Sequence, residues 1–301
     1  VPRYADGRAR LNKPLLAYGA IVASHTLFGV GLAQSRLPFA FAGALLVMLS
    51  GALAARLLRD PRAGTLAALI TACNPDVLTL SARSTPDILV CAAALLALDG
   101  AARVLFEAER GGGGAYRFWL GCGLATAAKG LWGPLLLAFV LLGALARPAL
   151  RVRLGGLLRP VPVLLGLALG ASGVAPLFLA GADEVLAQGG EDQLRGALSA
   201  AGALRNLVEY LPSLAIHLLP WTLLVVLAFA VADGRAALAE AWRSPLVRTA
   251  LCFWAVLVVV FVFGSARRVR YLAASFAPAA IALCVVLGAL TTRPRSARRW
   301  R

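Results

Sequence analysis

Lysine, histidine and acidic side chains are scarce in this 301-residue chain. There are two lysines, Lys13 and Lys129, and two histidines, His25 and His217. That is too few nitrogen ligands for a zinc centre built by this chain, so no metal ligand is assigned. The five cysteines, Cys73, Cys91, Cys122, Cys252 and Cys284, stand singly inside apolar runs. They lack metal-ligand spacing and read as small hydrophobes rather than a disulfide framework. Charged residues make up 15% of the chain, against roughly 25% in soluble domains. That excludes an ordinary soluble enzyme and a disordered basic tail. The chain also lacks a phosphate loop. The tetraglycine Gly111 to Gly114 has no following Lys-Ser/Thr and reads as a flexible linker. Nor are there paired Gly/Pro-broken segments in two halves, as an inverted-repeat transporter requires.

Apolar residues and arginine are abundant. The chain is 60% hydrophobic, and its net charge of +16 comes from 30 basic against 14 acidic residues. Mean hydropathy is +0.80. The arginines are scattered between apolar blocks rather than gathered on one face, which argues against nucleic acid as a partner. The blocks fall near 37–58, 63–82, 86–106, 117–129, 131–147, 160–181, 211–231, 247–264 and 271–291. A crossing helix needs about 20 apolar residues. The expectation is an all-α polytopic membrane protein of about nine transmembrane helices. Block 14–30 is short and carries Tyr18, Ser24 and His25, so it reads as a juxtamembrane helix lying at the interface.

Cytoplasmic loops collect Lys and Arg. With nine crossings, one side receives 18 basic residues, spread over every loop, and the other receives 12. The richer side is taken as cytoplasmic. The chain is then a single unit, 1–301. It comprises an outer loop with a juxtamembrane helix (1–36), a transmembrane bundle (37–291) and a cytoplasmic basic tail (292–301). Region 117–147 is read as two short helices meeting at Lys129-Gly130; one long tilted span would invert everything downstream.

The informative residues are those placed outside. Lys13-Pro14 opens the interfacial block, where a lysine opposes the helix dipole. It either snorkels or meets a phosphate. Arg36 anchors the interface or faces a ligand. In Ala82-Arg83-Ser84-Thr85-Pro86-Asp87, Thr85 or Asp87 either caps the next helix or, for Asp87, faces a cavity. Asp76 lies within a span at Asn74-Pro75-Asp76, and an intramembrane carboxylate is a functional candidate. Lys129 is flanked by apolar stretches and is costly unless it meets an interface or an anion. Segment 182–210 carries Asp183, Glu184, Glu191, Asp192, Arg195, Arg205 and Glu209. Arg267, Arg268 and Arg270 break the positive-inside trend. They pair either with a lipid phosphate or with that acidic segment. Together these residues suit a phosphorylated ligand whose tail stays in lipid.

The order of these motifs resembles the polytopic glycosyltransferases of the GT-C fold. The nearest group is the bacterial aminoarabinose-lipid A transferase and protein mannosyltransferase-like family. The resemblance is carried by Val1-Pro2-Arg3-Tyr4 through Leu11-Asn12-Lys13-Pro14-Leu15, Leu27-Phe28-Gly29 and Arg36-Leu37-Pro38. It continues through Ala82-Arg83 to Pro86-Asp87, Gly123-Leu124-Ala125 to Lys129-Gly130, Asn206 to Tyr210-Leu211, Leu219-Pro220-Trp221 and Arg270-Tyr271-Leu272. The resemblance implies an inverting sugar transfer from a polyprenyl-phosphate donor to a lipid, protein or glycan acceptor. The transfer would take place on the outer face of the plasma (bacterial inner) membrane. It implies donor-phosphate roles for Lys13, Arg195, Lys129 and Arg270, and a substrate cavity that includes Arg36, Arg83, Asp87 and Tyr271. Some relatives use a divalent metal; nothing in this sequence demands one. The family's catalytic Asp precedes the Lys-Pro pair. Only twelve residues precede Lys13, so that Asp is expected upstream of Val1 and the chain alone is expected to be inactive. Relatives commonly have Lys-Pro-Pro where this chain has Lys13-Pro14-Leu15. The competing classes are a non-enzymatic transporter of lipid-linked sugars, which would need a polar path through the bilayer, and a structural polytopic protein.

Overall fold

A computed structural model of the chain describes residues 11, 13–109, 112–194, 200–263 and 269–292. Arg195, Arg267, Arg268 and the expected tail residues 293–301 lie outside the described residues. Every described element is helical. Helix α1 (Leu16–Phe28) has 13 residues, about 20 Å at 1.5 Å per residue, short of a roughly 30 Å hydrocarbon core. It is followed by α2 (Leu32–Leu58), α3 (Pro61–Ala72), α4 (Pro75–Ser81), α5 (Pro86–Leu105), α6 (Gly113–Lys129), α7 (Trp132–Leu145) and the short α8 (Pro148–Arg151). Then come α9 (Pro160–Leu194), α10 (Ala200–Tyr210), α11 (Ser213–His217), α12 (Trp221–Phe229), α13 (Ala232–Arg243) and α14 (Pro245–Val262). A 3₁₀ segment, Val269–Ser275, runs directly into α15 (Phe276–Thr292).

Proline sets many of the starts. Helices α3, α4, α5, α8 and α14 all carry Pro in the first turn, where the missing N–H costs nothing. Asp60 caps α3 through Arg62 N at 2.9 Å. Asn74 Oδ1 caps α4, accepting from Asp76 N at 3.0 Å and Val77 N at 3.1 Å.

Five helices among the described residues are long and apolar enough to cross a membrane, or up to seven if each bent pair is one span. The bent pairs are α3 with α4, at 65°, and α10–α11 with α12, at 95°. The other two of the nine expected crossings correspond to α6 and α7, with 17 and 14 residues. Both are shorter than the roughly 20 residues that hydropathy alone assumes for a span. They are two helices rather than one tilted span. Gly130 adopts φ 57°, and a Cβ on Gly133 would lie 2.3 Å from the Cys122 carbonyl oxygen. Helix α7 therefore folds back onto α6. Segment 182–210, expected as a polar outer stretch, is largely helical, because α9 runs on past a break at Gly181 and α10 follows.

Small residues bring the helices together, as expected where lipid supplies no hydrophobic drive. Helices α2 and α3 run antiparallel with Gly64 against Gly51 and Ala55. Helices α5 and α6 run antiparallel, with Gly100 facing Gly114 and Phe118, and Gly121 facing Ala93 and Ala97. Helix α9 runs parallel to α6, with Gly166, Gly170 and Gly173 against Trp119, Thr126 and Ala127. The tetraglycine is thus more than a linker. Gly113 and Gly114 begin α6, and a Cβ on Gly114 would meet the Gly100 carbonyl at 3.0 Å. Helix α5 lies at the centre of the bundle, buried along most of its length.

These pairings give the bundle two chemically distinct ends. At one end lie the starts of α2 and α5, the end of α6 and the start of the 3₁₀ segment. At the other lie the end of α2, the end of α5 and the start of α6.

Candidate functional site

The first end gathers most of the sequence-nominated residues. Thr85 precedes Pro86 in extended backbone, but its hydroxyl makes no capping bond. Asp87 in the first turn of α5 is buried, at 5% exposure. Its Oδ1 accepts from Lys129 Nζ at 2.5 Å, and its Oδ2 lies 3.7 Å from Arg270 Nε. Antiparallel packing explains the meeting. A carboxylate is favoured at a helix start and an ammonium at a helix end, and here the start of α5 lies beside the end of α6. Lys129 Nζ also sits 4.0 Å from the Tyr271 ring centroid, a cation–π contact. Tyr271 is held from behind by Phe261 at 5.3 Å, and Phe261 by Trp132 at 5.4 Å.

Two cations therefore share one buried carboxylate. Arg270 Nε is buried without a hydrogen bond, while its side chain as a whole is 31% exposed. The charges of Lys13 and Arg270 both act on Lys129. The segment carrying Lys13 lies against the end of α6 and along α9. Leu11 N donates to Gln188 Oε1 at 3.0 Å and Leu15 N to the Gly173 carbonyl at 3.0 Å, and Pro14 approaches Gly130. Arg36 and Arg83 are exposed on the same rim, joined by Ser84 Oγ donating to the Ser35 carbonyl at 2.9 Å. Of the nominated residues, Asp87 meets Lys129 and Arg270, and Lys129 meets Tyr271; Lys13 precedes Pro14, which approaches Gly130. Arg36 and Arg83 are peripheral. Arg270 pairs with Asp87.

Two other polar centres complete the picture. Asp76 pairs with His217 Nδ1, and Asn74 Nδ2 donates to the His217 carbonyl at 2.7 Å. Sequence reasoning singled out Asp76 but missed His217 and Asn74. Their signal is the pair of proline breaks, Asn74-Pro75 and Leu219-Pro220. At the far end Asp99, buried at 3%, takes Arg117 at 2.6 Å, Arg103 at 3.1 Å and Arg56. Arg56 also pairs with Glu107. Asp99 anchors that end of the bundle. Among the described residues no three His, Cys, Asp or Glu side chains converge as a metal site.

The described helices form a bundle with a cation cluster at one end, and comparison with known proteins identifies its fold as GT-C. The fold is that of the crystal structure of ArnT from Cupriavidus metallidurans in the apo state, with TM-score 0.73 and 21% identity, over 95% of this chain and 51% of that one. The structure of the same protein bound to undecaprenyl phosphate matches at TM-score 0.65 and 21% identity, over 92% of this chain and 50% of that one. The chain thus spans about half the length of these solved structures. No curated protein matches. The dolichyl-phosphate-mannose-protein mannosyltransferase family matches residues 12–179, more than half of the chain. The chain belongs to that family.

Proposed function

We propose that this protein transfers a sugar, hexose or pentose, from a polyprenyl-phosphate donor to a lipid, protein or glycan acceptor at the outer face of the bacterial inner membrane, with inversion at the anomeric carbon. The observation that carries this reading is the Lys129–Asp87–Arg270 cluster. It holds two cations to one carboxylate, is roofed by Tyr271, and lies beside Lys13 at the end of an apolar bundle. A ligand with an apolar tail and an anionic head suits such a place, since the tail remains in lipid while the head meets Lys and Arg. Family membership and the likeness to a protein whose structure is bound to undecaprenyl phosphate support the same ligand class.

In this reading Lys129 and Arg270, with Lys13 and Arg195, stabilise negative charge on the phosphate as the bond to the sugar breaks. Asp87 holds Lys129 in place, and Tyr271 supplies a flat wall. The general base that deprotonates the acceptor is assigned to the family's carboxylate ahead of the Lys-Pro pair.

The test is binding of undecaprenyl phosphate to the full-length protein in lipid nanodiscs. Charge-assisted hydrogen bonds contribute about 1.5–3 kcal/mol, so Lys129→Ala and Arg270→Ala should each weaken binding about tenfold or more. Unchanged affinity in both variants, with folding intact, overturns the assignment.

A further inference from the structure

We infer that Asp76 and His217 are positioning residues for Arg270 and Tyr271, acting through Phe276; the inference rests on the phosphate reading above. Both bent helix pairs break where they face each other. The α3/α4 break is at Asn74 and the α11/α12 break follows His217. Backbone freed by a break inside a membrane protein has to be satisfied by neighbouring protein. Here each break serves the other. Asn74 caps α4 with its oxygen and donates its amide to the His217 carbonyl. Asp76 Oδ2 is ion-paired with Nδ1 of the same histidine. A carboxylate on Nδ1 fixes the tautomer and the plane of the ring.

That plane has a partner. The His217 ring stacks on Phe276, with centroids 5.5 Å apart and planes inclined by 11°. Phe276 is 1% exposed and opens α15, with no loop between it and the 3₁₀ segment that carries Arg270 and Tyr271. Leu272, Ala273, Ala274 and Ser275 between them are all buried. Ser275 Oγ donates back to the Leu272 carbonyl at 2.7 Å, closing the turn. The segment is therefore a packed spacer, and the placement of Phe276 sets the placement of Arg270. The Arg270–Asp87 separation of 3.7 Å lies just beyond hydrogen-bond range, where a small shift decides whether the guanidinium is held by Asp87 or released to a ligand. An apolar contact would fill the same space without the desolvation cost of a charged pair. The pair adds a direction, which an apolar contact does not.

The experiment uses the full-length protein in nanodiscs, with undecaprenyl phosphate as the probe and thermal unfolding measured on the same samples. His217→Asn keeps a donor for Asp76 but loses the stack, and Phe276→Leu loses the stack alone. Both should weaken binding about tenfold in the folded fraction. Asp76→Asn, which keeps an oxygen facing Nδ1, should retain binding to within about threefold of wild type, whereas Asp76→Leu should not. If all four variants lower the unfolding temperature while the affinity of the folded protein stays at the wild-type value, the positioning role is overturned. Lys129→Ala separates the two readings. If it weakens binding while His217→Asn and Phe276→Leu leave affinity at the wild-type value, only the positioning inference falls. If it leaves binding unchanged, the phosphate site falls and takes this inference with it.

Discussion

Lys129 shows how one side chain answers several physical demands. It ends a helix, so its charge suits the dipole. It is largely buried, so it needs a counter-charge, and Asp87 supplies one at 2.5 Å. It also lies on an aromatic face. Lysine and carboxylate together leave Arg270 incompletely matched. The sign of the Asp87 effect follows from this arrangement. A carboxylate beside a phosphate site repels the ligand even as it orients the lysine. Asp87→Asn keeps an acceptor for Nζ and removes the charge, so binding of undecaprenyl phosphate should tighten by about three- to tenfold. Titration of the variant in nanodiscs at fixed ionic strength checks this, and a weaker complex would mean that Asp87 serves the site chiefly by holding Lys129. The residue types were readable before any coordinates. Two lysines in a chain of 301 residues stand out. Their partners were not, because Asp87 and Lys129 are 42 positions apart and meet only through the antiparallel packing of α5 and α6.

Among the elements, the α5–α6 seam does most to place the cluster, and it is made by glycine. A Cβ on Gly121 would lie 2.5 Å from the Ala93 carbonyl and from Ala97 N, and one on Gly100 would lie 2.3 Å from Phe118 N. These neighbours are backbone and cannot step aside. Gly121→Val should therefore destabilise the protein by about 1–3 kcal/mol, seen as a lower unfolding temperature in detergent, and should also loosen phosphate binding by parting Lys129 from Asp87. Gly143 in α7 meets nothing within 4 Å, and Gly143→Ala should leave stability unchanged or raised by up to about 1 kcal/mol. The contrast separates close packing from helix propensity. Hydropathy located the apolar elements, since the bounds of α2, α5, α14 and α15 lie near the expected blocks. It did not anticipate that α3–α4 and α10–α12 are bent, because mean hydropathy passes smoothly through a capped break.

For the molecule as a whole, charge is divided between two ends with different tasks. The end with Lys129 keeps a cation in excess over its carboxylate. At the far end three arginines surround Asp99, and Arg153 donates to the Leu105 and Phe106 carbonyls at 2.7 and 3.1 Å. This lashes α2, α5, α6 and the α8 region together. Asp99→Ala leaves those arginines without their buried partner. With the partial exposure of Arg56, Arg103 and Arg117 discounting the effect, it should cost about 1–3 kcal/mol. Size-exclusion profiles in detergent should show more aggregated protein, while the folded fraction binds undecaprenyl phosphate as the wild type does. Asp76 and Asp99 are each engaged by neighbours, Asp76 by His217 and Asp99 by arginine.

Composition alone established that the chain lives in a membrane as a bundle of helices. Burying so many apolar residues against so few charges leaves no soluble alternative, and helices satisfy their own backbone in lipid. The order of short motifs also named the residue types that a phosphate site would use. Which of them meet, and in what geometry, depended on long-range packing. Small-residue seams set helix direction and depth, and these place Asp87 under Lys129, Arg270 beside both, and His217 against Asp76 and Phe276. Such contacts join residues tens to hundreds of positions apart, and local pattern carries no information about them.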